Sequence, residues 1–184
     1  MKLTVSTHTA FGHRESLRTT KQFAQRAIPI VNRAVPGSMP DVQIVLTNAR
    51  SLAELSVAAE AALVGGADRR ALAKAVREAN RHARDAAGRA VPLADGGALI
   101  LVNLDQHRTP ADFAITLVHE LVHAMQFSRR GVRERVIADV RDELGIKRQS
   151  HRQKRESARA LERDEDEAYE REYLADQLVP GATA

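Results

Sequence analysis

The sequence predicts a mainly helical α+β domain with a small strand content and one buried central helix, and three observations carry that expectation. Helix-forming Ala, Leu, Glu and Arg dominate while aromatic residues make up only 3% of the chain, so strands must be few. The runs that do suit strands are short and scattered: Leu3–Thr7, Asp41–Thr47 and Ala98–Leu104, the last the most convincing of them. The segment from Pro110 to about Arg130 carries apolar residues on nearly every side, which marks a buried helix. With 184 residues, 43% of them hydrophobic, the chain suits a single domain over 1–184 with a real core.

Taken in order, Leu3, Val5 and Thr7 alternate with Thr4 and Ser6 as a first strand, and Phe11–Arg14 reads as a turn. A helix follows over Ser16–Val35, with Pro29 expected to kink or shorten it. After the break at Pro36–Pro40 comes the strand Asp41–Thr47. Two Ala-rich helices, Leu52–Leu63 and Asp68–Ala87, are separated by Gly65-Gly66. Val91–Gly97 reads as a loop leading into Ala98–Leu104. Thr109-Pro110-Ala111-Asp112 then starts the central helix, with Thr as cap, Pro in the first turn and Asp in the capping-box position. A charged helical region runs from Gly131 to about Arg163 with an interruption near Gly145, and a last helix spans Leu161–Leu178.

Cysteine is absent, which removes disulfides, thiolate metal ligands and a thiol nucleophile together and leaves His and carboxylate to hold any metal. Neither a secretory apolar core nor a stretch of membrane-spanning length is present, so a cytoplasmic protein without membrane contact is expected. The formal net charge of +4 concentrates around Arg129–Arg135 and Lys147–Arg159. Those stretches are interleaved with Glu134, Asp139, Asp142, Glu143 and Glu156, which reads as a solvated helix face rather than a nucleic-acid patch.

The chemistry lies on the central helix, where His119-Glu120-Leu121-Val122-His123 is HExxH. Four-residue spacing puts both imidazoles on one face, within reach of one tetrahedral ion. Glu120 lies about 100° round the helix from His119, able to reach a water at the ion without occupying a coordination position. Two histidines and a glutamate inside an otherwise apolar helix are also expensive to desolvate unless something such as a metal compensates them. The other histidines, His8, His13, His82, His107 and His151, have no ligand-like spacing.

A third ligand is not supplied by an HExxHxxGxxH pattern, because Gln126 and Arg129 occupy the matching positions. The carboxylates of Leu161–Leu178 are the candidates. A continuous helix would place Leu161, Glu165, Ala168, Tyr169, Glu172, Ala175, Asp176 and Val179 on one stripe, with Glu167 and Glu170 on a solvated far side. Glu165 and Glu172 remain, and Glu172 is favoured because Asp176, one turn on, could orient a ligand histidine.

With HELVH and Glu172-Tyr173-Leu174-Ala175-Asp176, the chain resembles the gluzincin-type zinc metallopeptidases, whose HExxH is completed by a Glu from a later helix, commonly as ExxxD. Arg171–Asp176 looks especially like the ligand helix in the catalytic domain of the heat-shock and CAAX-processing zinc proteases, here without their membrane helices. It is also similar to compact phage- and mobile-element-type metallopeptidases that cleave repressors or regulators. The resemblance implies a fold like the catalytic half of thermolysin, in which a small sheet packs on the active-site helix, with Ala98–Leu104 as the edge strand that pairs with an extended peptide or protein substrate. The expected activity is peptide hydrolysis, with Zn2+ on His119, His123 and Glu172, and Glu120 as general base. Tyr169 and Tyr173 are candidate oxyanion donors. The alternative is a catalytically silent zincin-like regulatory or nucleic-acid-binding protein using Arg129–Arg159, against which the presence of Glu120 argues, since a structural zinc site needs no base.

Overall fold

The computed structural model describes residues 1–8 and 14–183. The turn expected at Phe11–Arg14 lies, but for Arg14, outside them. In chain order the elements are β1 (Leu3–Thr7), α1 (Arg14–Ala34), β2 (Val42–Thr47), α2 (Ala49–Leu63), α3 (Arg69–His82), β3 (Gly88–Pro92), β4 (Ala98–Asn103), α4 (Pro110–Gln126), α5 (Val132–Glu143) and α6 (His151–Glu170), with short 3-10 segments at Leu104–Gln106 and Glu172–Gln177. The α+β, mainly helical architecture is as the composition predicts. No described helix is long and apolar enough to cross a membrane.

The sheet order is β1-β2-β4-β3, with β1, β2 and β4 parallel and β3 antiparallel to β4. Helices α1 and α4 cover one face and α2, backed by α3, covers the other. Side-chain alternation divides the core accordingly. Val42, Ile44, Leu46, Ala98, Ile100 and Val102 pack with α1 and α4, while Leu99 and Leu101 pack with Leu52 and Ala53 of α2.

This corrects the expectation that Ala98–Leu104 is the edge. All six residues of β4 are buried, because it lies between β2 and β3 with helices on both faces. The edge beside α4 is β3, where the sequence predicts only a loop from Val91 after a helix ending at Ala87. Helix α3 stops at His82, well before Ala87.

Other boundaries follow local chemistry. Helix α1 runs uninterrupted across Pro29, which sits on its exposed side, where water can satisfy the carbonyl that proline leaves without a donor. Thr109 and Asp112 form the expected reciprocal capping box, and α4 is buried continuously from Leu117 to Val122. The charged region breaks at Gly145, where φ is +71°, and restarts at a second capping box, Ser150 with Gln153. The last helix expected at Leu161–Leu178 is instead the end of α6 followed by a change of winding at Arg171 into the 3-10 segment, and this change rearranges the carboxylates around α4.

Candidate metal centre

Helix α4 delivers His119 and His123 from adjacent turns, their Nε2 atoms 3.1 Å apart. Glu165 of α6 faces both, with Oε2 3.5 Å from His119 Nε2 and Oε1 3.5 Å from His123 Nε2. Among the described residues, these three form the one group of His, Asp or Glu side chains close enough to share an ion. Ligands about 2.0–2.1 Å from a tetrahedral zinc stand roughly 3.3 Å from one another, and the observed separations bracket that value.

The opposite ring nitrogens are held by other groups. His119 Nδ1 donates to Glu172 Oε1 at 3.0 Å, because a carboxylate can only accept. His123 Nδ1 donates to Gln126 Oε1 at 2.8 Å. The amide NH2 of Gln126 donates to the Asp164 carbonyl at 2.8 Å and to Glu167 Oε2 at 3.0 Å, which fixes which end faces the ring. Glu167 is itself clamped by two hydrogen bonds from Arg129, at 2.6 and 2.9 Å. With both Nδ1 atoms protonated, the two Nε2 lone pairs point at each other, an arrangement that only a cation or a shared proton between them makes favourable. The donor set therefore fits a divalent metal.

Of the residues the sequence singled out, His119, His123 and Glu120 come together, and Glu172 joins them on the far side of His119, where it orients the ring. Glu165 is the carboxylate that faces both Nε2 atoms. The reason is the winding change at Arg171: the 3-10 segment packs against α4 and carries Glu172 to the Nδ1 side. Asp176 does not hold a histidine. Its carboxylate accepts from Thr183 N and Oγ1, at 3.0 and 2.8 Å. Glu170 is exposed as expected, but Glu167 is a partly buried member of the Gln126–Arg129 network rather than a solvated charge. Gln126, only 1% exposed, is more than a mismatch to HExxHxxGxxH: three residues after His123 on the same helix, its spacing is the signal for a partner to that ring. Tyr169 sets its ring against His119, centroids 4.8 Å apart, and lines the cleft, whereas Tyr173 is exposed outside it.

Glu120 is 5% exposed, and its Oε2 has no hydrogen-bond partner. Burial pushes its carboxyl pKa up, against the opposing pull of His123 and His119. Burial also works to lower the His123 pKa, but the hydrogen bond to Glu165 and the field of Glu120 outweigh it, raising the ring to about 9. His119 is raised by the same neighbours. The hydrogen bonds from His119 and then His123 hold the Glu165 carboxyl well below the usual carboxylate range.

These groups open into a cleft of about 630 Å³, walled by β3 on one side and by Val136 and Val140 of α5 on another. Bonds from Asn103 N to Ala87 O and from Leu93 N to Gly97 O fix the hydrogen-bonding phase of β3 against β4. By the alternation of an antiparallel ladder, Gly88, Ala90 and Pro92 turn their backbone groups to the free edge. Away from the cleft, Arg135, Arg152 and Lys154 in the basic stretches are paired with Asp164, Glu156 and Asp142. Compared with the models of known protein families, with curated proteins and with solved structures, the chain finds no match.

Proposed function

We propose that this chain is a zinc-dependent peptidase in which His119, His123 and Glu165 hold the ion. The observation that carries the reading is a carboxylate without a hydrogen-bond partner, Glu120, buried in the same cleft as a converging His, His and Glu donor set. Zinc bound there would supply a Lewis acid that lowers the pKa of water and polarises the scissile carbonyl. Glu120, kept receptive to a proton by its raised pKa, takes one from the attacking water and returns it to the leaving amine. Glu172 and Gln126 hold both rings in the tautomer that presents Nε2. The free edge of β3 takes the role first expected of β4, pairing with an extended peptide through the outward groups of Gly88 and Ala90. Pro92 carries no donor and ends that register.

The direct test is metal analysis with digestion of an unstructured protein such as casein. About one zinc per chain is expected, with cleavage lost on chelation and restored by added zinc; cleavage indifferent to the chelator would end the reading.

A pH dependence follows from the same cluster. A His123 pKa of about 9 means that zinc loading at pH 7 must expel that proton, so apparent affinity should rise by up to about tenfold per pH unit toward pH 9. Stability of the metal-free protein should move the other way. A raised histidine pKa contributes fully below 6.5, and that contribution is lost as pH rises through about 9. Calorimetric titration of zinc in two buffers of different ionisation enthalpy measures the release; heats that do not depend on the buffer would contradict the assignment.

A further inference from the structure

Gly88 opens β3 at an ordinary strand conformation. Unlike Gly37, Gly65 or Gly131, it has no positive φ. Glycine in a strand costs backbone entropy and gives up packing, and here no backbone conformation requires it. Space does. A Cβ built at Gly88 would lie 2.8 Å from Glu120 Oε1, 2.9 Å from Glu120 Cγ and 2.8 Å from Thr116 Cγ2. Glu120 belongs to the buried turn of α4, which limits how far its side chain can retreat.

Resting on the peptidase reading above, we propose that Gly88 is the positioning residue for Glu120: its bare Cα lets the substrate-pairing edge pass directly over the carboxylate and leaves that carboxylate one place to sit. Gly88 also turns its N–H and C=O to the free edge, so a peptide paired there lies against the base that must serve it. Strand and base are thereby set in register by a single missing side chain. The three atoms nearest the Gly88 Cβ position belong to Glu120 and Thr116 and to none of His119, His123 and Glu165.

The test is Gly88→Ala, a change that keeps every backbone donor and acceptor. A crystal structure of the zinc-loaded variant should show the Glu120 carboxylate displaced by about an ångström with zinc at full occupancy. Turnover of a casein-derived peptide should fall about 100-fold in kcat, the penalty of a misplacement of that size, with KM changed by only a few-fold. Adding Thr116→Ser removes one of the three close contacts; it should recover part of kcat and secures a folded variant if the single change is unstable. Glu120 unmoved in the variant, or kcat lost only in proportion to lost zinc, would overturn the inference. Should the wild type cleave no peptide, the peptidase reading fails, and the position of Glu120 in the variant still decides whether Gly88 sets it.

Discussion

Replacing Glu165 with alanine is expected to weaken zinc binding by roughly 100- to 1000-fold, and replacing Glu172 with alanine by about 10- to 100-fold. The first figure follows from dividing the roughly 10–16 kcal/mol of a structural zinc site equally among its four protein ligands, which gives the loss on removing one. The second is the usual cost of losing the partner that orients a ligating imidazole. The ranking is geometric: Glu165 faces both Nε2 atoms at 3.5 Å, while Glu172 sits on Nδ1 of His119 and cannot reach the same ion through that ring. Asp176→Ala, which removes the two hydrogen bonds from Thr183, should leave affinity nearly unchanged. Competition titration against a zinc chromophore measures all three. If Glu172→Ala lost far more affinity than Glu165→Ala, the ligand and the orienting group would have to be exchanged.

Glu120→Gln should leave zinc binding close to wild type and reduce kcat by about 10²- to 10⁴-fold, the range associated with removing a positioned general base. The amide keeps the shape of the side chain in a site that is 5% exposed, so packing is preserved while the proton acceptor is lost. It also removes a buried carboxylate whose Oε2 lacks a partner, so the variant should be no less stable in the metal-free state. Undiminished kcat in a zinc-loaded Glu120→Gln protein would refute the proposed chemistry. A loss of kcat that tracked a loss of zinc would place Glu120 among the groups that build the site.

What the sequence could show depended on how local the responsible interactions are. HExxH was legible because its meaning is contained in one helix, and the Thr109 and Asp112 box fixed where that helix begins. Gly145 marked a break for the same reason. The box at Ser150 and Gln153 was equally local and would have placed the start of α6. The rank of β4 in the sheet was also readable, since ALILVN offers no polar face and a strand buried on both sides must be interior. By contrast β3, bounded by Gly88 and Pro92 with Arg89 inside it, has little strand character of its own and exists through pairing with β4. The placing of Glu165 and Glu172 on one stripe rests on one assumption, that the helix keeps its 100° step to Leu178. Once the winding tightens after Arg171, two carboxylates seven positions apart no longer share a stripe, and they meet His119 from opposite sides.

That division has a consequence for the order in which the protein can be completed. The two imidazoles and Glu120 leave the ribosome together, but the acids that neutralise and orient them come much later, Glu172 lying 53 residues after His119. At typical synthesis rates of about 5–20 residues per second, the half-built site waits roughly 3–10 seconds for its other half. During that interval the sheet and α1, all encoded upstream, can already shelter α4, while the segment carrying Glu165 and Glu172 has not yet been made. On the zinc proposal, metal acquisition is a late event, set by the arrival of α6 and not by the folding of the sheet.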